Sequence, residues 1–190
     1  MKKNIKKKKK QTGKGKYVFA FFLSIVFIIG GLIAFYKVRY PVKYQDEIAK
    51  YSDSYSLDRT MVASLINEES SFNPNAVSKV GAIGLMQITP STGAFIANKL
   101  GETNYDSSKL FEPDTNIRYG CYYLKYLRDR FVDTKVVLTA YNAGETTVRM
   151  WLKDKQYSAD GVTLVKIPYN VTNSYTTKIL NGMKHYSNRI

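Results

Sequence analysis

Two adjacent glutamates, Glu68 and Glu69, have the placement best suited to proton-transfer chemistry. The residue pattern predicts a helix over 59–70, with Asp58 as its N-cap. Glu69 continues an apolar stripe with helical spacing, formed by Val62, Leu65 and Ile66. Glu68 is turned about 100° away from that stripe, so we expect it near solvent or at a rim. Partial burial raises the pKa of a carboxyl, which makes Glu69 the candidate general acid; the alternative is a helix-end glutamate paired with a lysine.

The segment after Glu69 is rich in turn-forming residues and ends in a second helix start. Asn73–Pro74 predicts a turn, and Gly81 and Gly84 allow close approach of the backbone. Gln87 follows, and its amide can both donate to and accept from sugar amides and hydroxyls. Thr89–Pro90 then predicts an N-cap and first helical residue. One acid and one amide are thus expected to be carried by neighbouring segments.

The remaining pattern is that of a compact, mostly α domain. Turn and cap signals predict a short hairpin over 153–169, around Asp160–Gly161. The stripe that includes Ile117, Cys121 and Leu124 predicts a long amphipathic helix beginning at Pro113 and continuing to Phe131. The predicted helices cover 42–55, 59–70, 90–100, 113–131, 134–142, 145–152 and 172–187.

The net charge of +14 is concentrated at the N-terminus of the 190-residue chain. Residues 1–45 hold 12 of the 29 Lys and Arg residues and none of the 15 Asp and Glu residues. Residues 46–190 therefore carry 17 basic and 15 acidic groups, a net charge of +2. A nucleic-acid-binding domain usually carries its positive excess on the folded part, so we expect no nucleic-acid partner.

Residues 17–36 are twenty consecutive uncharged residues that follow nine lysines in 1–16. A helix of that length spans about 30 Å, the thickness of the hydrocarbon core of a bilayer. We interpret 1–16 as a cytoplasmic basic tail, 17–36 as a transmembrane anchor in contact with membrane lipid and 37–45 as a juxtamembrane linker. Residues 46–190 are then one domain on the outer side of the cell membrane. The alternative is a cleaved signal peptide, but the apolar run is long and no A-x-A-like site follows it.

Single cysteine and histidine residues limit the available chemistry. Cys121 and His185 are each the only residue of their kind, which excludes an intramolecular disulfide and any site with several His or Cys ligands. We expect Cys121 to be a core residue and His185 a surface residue. No metal and no cofactor is expected.

Three ordered blocks of this chain resemble the soluble lytic transglycosylase domain family, which is related to goose-type lysozyme. The first block, E-S-x-F-N-P-x-A-x-S-x-x-G-A-x-G-L-M-Q-I-x-P-x-T, runs from Glu69 to Thr92. The second and third are N-I-x-x-G-x-x-Y-L from Asn116 and A-Y-N-A-G from Ala140. The resemblance covers about residues 45–182. It implies a mostly α, lysozyme-like domain, here preceded by one transmembrane helix.

The resemblance also implies a function: cleavage of peptidoglycan glycan strands between N-acetylmuramic acid and N-acetylglucosamine, with closure of a 1,6-anhydro ring. Glu69 is then the acid and afterwards the base, and the N-acetyl group of the substrate assists in place of a second carboxylate. The other candidate site residues are Gln87, Tyr141, Asn142, Ser70 and Met86. The resemblance places the Tyr141 hydroxyl near Glu69 or the reacting N-acetyl group.

The roles of the other candidates stay open at the level of sequence. Gln87 and Tyr141 could instead pack the loop and the helix core, and Asn142 could contact sugar or brace a loop. Ser70 could bond to Glu69 or cap its helix, and Met86 is expected to line the wall of the groove.

The late block departs from the family pattern. After Ile167–Pro168–Tyr169, the family commonly continues with E-T-R, whereas this chain has Val171 at the Glu position and Asn173 at the Arg position. This puts a secondary substrate contact in doubt. Two other functions remain: a goose-type muramidase that uses water, and a non-catalytic cell-wall-binding scaffold. Machinery for wall growth, secretion or conjugation would each be a fitting partner for an anchored enzyme.

Overall fold

The computed structural model describes residues 14–190, which fall into two compact units divided after Arg39. The first unit contains helix α1, Lys14–Arg39, whose apolar side chains are mostly exposed. The helical segment Gly15–Arg39 is long enough and apolar enough to cross a membrane. The helix extends beyond the predicted span of 17–36 at both ends. Most of the predicted basic tail, residues 1–13, lies outside the described part.

The second unit, Tyr40–Ile190, is built from helices. Seven α-helices follow α1: α2 Gln45–Ser54, α3 Arg59–Ser70, α4 Pro90–Lys99, α5 Pro113–Arg128, α6 Thr134–Ala143, α7 Glu145–Lys153 and α8 Asn170–Tyr186. A short 3₁₀ helix at Ser107–Phe111, which was not predicted, precedes α5. The prediction of a mostly α domain is confirmed.

Helix starts and stops follow the local signals in the sequence. The Asp58 carboxylate accepts a hydrogen bond from the Thr60 amide at 2.7 Å, and the Thr89 hydroxyl accepts one from the Thr92 amide at 3.1 Å. Gly101 and Gly144 adopt positive φ just beyond α4 and α6, where a side chain would be strained. The predicted first residues of two helices were wrong. Helix α2 begins at Gln45 rather than at 42, and helix α8 begins at Asn170 rather than at 172.

The predicted hairpin over 153–169 is wrong. Within residues 14–190 the structure contains no strand, only isolated bridges that join Val77 to Ile83 and Ile83 to Ile88. The Asp160 carboxylate instead accepts bonds from the amides of Val162 and Thr163 at 2.8 and 2.7 Å, and the pKa of Asp160 is lowered as a result. These bonds turn the chain locally and replace a strand ladder.

The segment that was predicted as a linker, residues 37–45, falls into two parts. Residues 37–39 belong to α1, and Tyr40, Val42 and Tyr44 pack against the core of the second unit before α2 begins. Val38 remains exposed, so the packing of this segment begins at Tyr40.

Helix α3 lies at the centre of the domain and packs most extensively against α8. Leu65 and Ile66 on α3 are fully buried. The Ser64 hydroxyl donates to the Ile179 carbonyl of α8 at 2.8 Å, and Gly182 leaves the space that Ser64 needs. Cys121 on α5 is fully buried, which confirms its prediction as a core residue. This packing brings the last turn of α3 beside the first turns of α8.

Candidate active site

The Glu69 carboxyl lies in the last turn of α3 and is bonded to a residue from α8. The Tyr175 hydroxyl donates to Glu69 Oε1 at 2.6 Å. The pKa of Glu69 is raised to about 7. Burial is the largest cause, the hydrogen bond from Tyr175 opposes it and the charge of Glu68 adds to it. A carboxyl with this pKa can be neutral or ionised near neutral pH, as a group that both gives and takes a proton requires.

Glu68 has a different partner on α8. Its carboxylate forms an ion pair with the Lys178 ammonium of α8 at 2.7 Å. The Glu68 side chain keeps 19% of its accessible surface and that of Lys178 keeps 53%, so the pair lies at a rim. The helix-face interpretation that separated the two glutamates is therefore consistent with the structure.

Tyr175 was missed by the sequence interpretation. It lies four residues after Val171, just beyond the late block in which this chain departs from the family pattern. Both its burial and the nearby Glu69 charge raise the pKa of its phenol well above the ordinary value. A buried tyrosine hydroxyl generally needs a hydrogen-bond partner. A tyrosine on the buried face of α8 was therefore the feature of the sequence that could have indicated a partner for Glu69.

The segment between α3 and α4 is held against α3 by Ser70. The Ser70 hydroxyl donates to the Leu85 carbonyl at 2.8 Å and also contacts the Ile66 carbonyl at 3.1 Å. Ser70 therefore does not form a hydrogen bond with Glu69. It is not the C-terminal cap of α3 either, since that residue is Ser71. Its position connects the helix that carries the acid to the loop that carries Gln87.

Asn116 on α5 fixes the same loop from the other side. Its amide nitrogen donates to the carbonyls of Ile83 and Leu110 at 2.9 and 2.7 Å, and its amide oxygen accepts from the Met86 amide at 2.7 Å. Asn116 is fully buried. Gly84, with φ +79°, passes so close to Asn116 that a Cβ at that position would overlap its side-chain amide.

Met86 does not line the groove, which corrects the sequence expectation. The residue is fully buried, and its side chain fills the space left by Gly120 on α5. Its contribution to the site is its backbone carbonyl, which accepts a hydrogen bond from the Tyr141 hydroxyl at 2.8 Å. The Tyr141 hydroxyl is thus bonded to the loop, while the charge of nearby Glu69 helps to raise the pKa of Tyr141.

Gln87 and Asn142 lie on cavity walls and also make structural contacts. The Gln87 side-chain nitrogen donates to the carbonyls of Gly84 and Ala76 at 2.9 and 3.2 Å, and Gln87 has a φ of +50°. The Asn142 amide oxygen accepts from the Thr172 hydroxyl at 2.8 Å. The structure brings both residues to the same side of the domain as Tyr141.

Three neighbouring cavities form what we call the groove. A cavity of about 310 Å³ includes Gln87, Tyr141 and Asn142 in its lining. Asn142 also lines a cavity of about 400 Å³, together with Glu68, Val171 and Tyr175. A third cavity of about 250 Å³ shares Thr92 and Tyr123 with the first. The shared residues make the three cavities neighbours, and Tyr175, the hydrogen-bond donor to Glu69, lines one of them.

The two acidic side chains that line the groove are both paired with cations. Glu68 is paired with Lys178, and Glu145 lies 2.7 Å from an Arg149 nitrogen and 3.4 Å from an Arg130 nitrogen. Within residues 14–190, no group of three or more His, Cys, Asp and Glu residues suited to a metal ion is found. The Glu69 carboxyl differs from both, because its partner is a tyrosine that itself lines the groove, Tyr175.

Comparison with known proteins gives the family of this domain. The sequence model of the Transglycosylase SLT domain matches residues 46–162, more than half of the chain. The chain therefore belongs to the transglycosylase SLT domain family, which has a mostly helical, lysozyme-like fold.

Individual relatives carry similar descriptions. The soluble lytic murein transglycosylase of Escherichia coli K12 is 33% identical over 162 residues, which cover 84% of this chain and 25% of that protein. The membrane-bound lytic murein transglycosylase C of Pectobacterium atrosepticum is 31% identical over 159 residues, covering 78% of this chain and 44% of that protein. This chain thus spans a quarter to less than half of the length of these relatives.

A solved structure agrees with these matches. The lytic transglycosylase Slt of Pseudomonas aeruginosa, crystallised as an inactive glutamate-to-glutamine mutant, superposes with a TM-score of 0.70 at 28% identity. The match covers 80% of this chain and 25% of that one.

Proposed function

We propose that this protein is a membrane-anchored lytic transglycosylase of peptidoglycan. It cleaves the β-1,4 bond between N-acetylmuramic acid and N-acetylglucosamine and leaves a 1,6-anhydromuramoyl end. Membership of the SLT domain family and the descriptions of the relatives support this activity. The observation that carries the proposal is the Glu69 carboxyl, which has a pKa of about 7 and accepts a hydrogen bond from Tyr175, a residue of the groove lining.

The chemistry needs only one carboxyl. Neutral Glu69 gives its proton to the glycosidic oxygen, and the bond from that oxygen to C1 of the muramic acid breaks through an oxocarbenium-like state. The N-acetyl group of the same sugar stabilises C1 in place of a carboxylate nucleophile. The ionised Glu69 then takes the proton of the C6 hydroxyl as its oxygen bonds to C1. The proton count is restored, and no water is consumed.

Tyr175 orients the carboxyl through both steps in this proposal. Its hydroxyl donates to Glu69 Oε1, and a donor stabilises the ionised form that exists between the two proton transfers. Tyr175 is therefore a positioning residue for Glu69. It also lines the cavity that contains Val171, so substrate in that cavity would lie beside it.

Substrate contacts are assigned to the residues on the cavity walls. Gln87 and Asn142 present amides suited to the N-acetyl and hydroxyl groups of sugars, and Tyr141 lines the same cavity. Ser70 and Met86 act indirectly, since each bonds or packs within the loop that carries Gln87. Val171 is 79% exposed at the groove edge and offers a methyl surface where the family pattern has a carboxylate.

Helix α1 is assigned as an uncleaved anchor. Its length, hydropathy and exposed apolar side chains support insertion in a bilayer, and a membrane-bound relative supports the same location. The lysines of residues 1–16 favour a cytoplasmic N-terminus. In this proposal Tyr40–Ile190, and with it the groove, lies on the cell-wall side.

Digestion of purified peptidoglycan by the full chain in detergent tests the activity. We expect muropeptides one water lighter than the products of hydrolysis, and no such product from Glu69→Gln. Products with reducing ends would replace the proposal with a muramidase. A folded protein that releases nothing would indicate a wall-binding scaffold.

A further inference from the structure

One face of helix α8 carries a row of side chains that passes the active-site pair. The row has the spacing i, i+3, i+4 and i+7, which places its members on the same side of a helix: Val171, Ser174, Tyr175 and Lys178. All of them line the cavity of about 400 Å³. Because Tyr175 donates to the Glu69 carboxyl, a group bound along this row lies beside the proposed acid.

The lining of this cavity differs from that of the cavity assigned to sugar amides. Val171 is exposed and presents methyl groups. Lys178 adds an ammonium with three N–H donors, and Glu68 accepts from it at 2.7 Å. The Lys178 side chain is 53% exposed and that of Glu68 only 19%, so the cation is the more accessible member of the pair. The cavity therefore suits a ligand that carries both a small apolar group and an anion.

The muramic acid of peptidoglycan carries such a ligand on the ring that reacts. In the proposed reaction C1 of this sugar is attacked, and the peptide of the same sugar begins at the lactyl ether on C3. The first two residues of that peptide are alanine and a γ-linked D-glutamate. They offer a methyl group, which suits Val171, and an α-carboxylate, which suits Lys178 unless it is amidated.

We propose that this cavity binds the peptide of the muramic acid at the cleavage site, and that Lys178 selects peptides whose D-glutamate α-carboxylate is free. The inference rests on the proposed function and names the substrate class within it. The family pattern has a glutamate at position 171, and its charge would repel the carboxylate of the peptide. In this chain Val171 removes that repulsion and Lys178 supplies an attraction.

Two matched sets of soluble glycan strands test the inference. Both carry L-alanyl-γ-D-glutamyl-L-lysine peptides, and they differ only in whether the α-carboxyl of the glutamate is free or amidated. We expect kcat/KM for anhydro-product release to be roughly 5-fold higher on the strands with the free carboxylate, as for a partly exposed ion pair. Lys178→Met should bring this ratio close to one, and Lys178→Arg should keep the preference. The ratio is insensitive to effects on Glu69, because both strands are cut by the same protein.

Val171→Glu should also reduce the ratio, because it restores a negative charge to the cavity wall. The matched control is Lys184→Met, which removes an equal charge from an exposed position of α8 outside the cavity lining and should leave the ratio unchanged. Equal kcat/KM values on the two sets, or a preference that survives Lys178→Met, would overturn the inference. Failure of the proposed function looks different, because neither set of strands would then yield anhydro ends.

Discussion

The hydroxyl of Tyr175 donates to the carboxyl of Glu69 at 2.6 Å, across a sequence separation of 106 residues. This bond joins the two most extensively packed helices, α3 and α8, at the place where the proposed chemistry occurs. Burial alone favours the neutral acid, and the tyrosine partly offsets that preference by stabilising the carboxylate. The resulting pKa of about 7 leaves both protonation states accessible.

Tyr175→Phe should lower the turnover rate and shift its pH dependence. A hydrogen bond to a charged group contributes about 1.5–3 kcal/mol, so loss of this donor should reduce kcat roughly 10- to 100-fold. The pKa of Glu69 should rise when the donor is lost, because the ionised form loses its partner. Activity that falls above about pH 7 in the original protein should therefore fall at a higher pH in the variant, as measured by initial rates of anhydro-product release.

Tyr141→Phe is the matched control for this experiment. It removes a buried phenol of the same groove, but one that donates to the Met86 carbonyl rather than to Glu69. Its rate can fall, while the alkaline limb of its pH profile should stay where it is in the original protein. An equal shift in both variants would show that Tyr175 does not act through the protonation of Glu69.

Glu69→Gln should stabilise the domain at alkaline pH while abolishing activity. The pKa of Glu69 is raised from an ordinary 4.5 to about 7 on folding. The folded state therefore holds a proton that the unfolded state has lost, and stability decreases as pH rises from about 4.5 to about 7. Above that range the cost is roughly 3 kcal/mol, and a neutral glutamine avoids it.

Urea unfolding of Tyr40–Ile190 at several pH values measures this effect. The gain in unfolding free energy from Glu69→Gln should be close to zero below pH 4 and reach its full size above pH 8. Tyr175 can still donate to the glutamine carbonyl, so the comparison isolates the charge. A gain that does not depend on pH would contradict the assignment of a raised pKa to Glu69.

The Glu68–Lys178 pair should tune Glu69 without being required for the reaction. The charge of Glu68 raises the pKa of Glu69, and the Lys178 ammonium lies 2.7 Å from that charge. Glu68→Gln should move the alkaline limb of activity to lower pH and keep most of the rate. Lys178→Met should move it to higher pH, because Glu68 then acts on Glu69 without its counter-charge. A shift of the alkaline limb in the same direction in both variants would contradict this arrangement. An inactive Glu68→Gln variant would contradict it as well.

Local features of the fold could be predicted because they depend on neighbouring residues. Asp58 and Thr89 were identified as caps, and both accept the expected amide bonds. The hairpin prediction failed for a related reason, since the Asp160 carboxylate satisfies the amides that a strand would have paired. The same turn residues are compatible with either outcome, and only the tertiary context decides between them.

Long-range features of the site could be predicted only in part. Helical spacing separated Glu69 from Glu68 because both lie on one helix. Tyr175 comes from α8, and no periodicity relates it to Glu69. Met86 was expected on the groove wall, yet its side chain is buried and fills the space left by Gly120 on another helix, which local sequence does not reveal.

Asn116→Leu should destabilise the domain and disorganise the groove together. The buried amide makes three hydrogen bonds, to the Ile83 and Leu110 carbonyls and from the Met86 amide. A leucine of similar size removes the bond partner of the Leu110 carbonyl and of the Met86 amide, at about 1–3 kcal/mol each, whereas the Ile83 carbonyl keeps its bond from the Ile88 amide. We expect a loss of at least about 2 kcal/mol in unfolding free energy.

Activity separates this loop effect from a general loss of stability. The loop that Asn116 holds carries Gln87 and the Met86 carbonyl to which Tyr141 donates, so its release should lower activity even where the protein is fully folded. Rates are therefore compared at low temperature and in the absence of urea, after circular dichroism has shown intact helices. Asn98→Ala, at an exposed position of α4, is the control and should change stability by less than about 0.5 kcal/mol. A folded Asn116→Leu protein with the full rate would show that the loop keeps its shape without this amide.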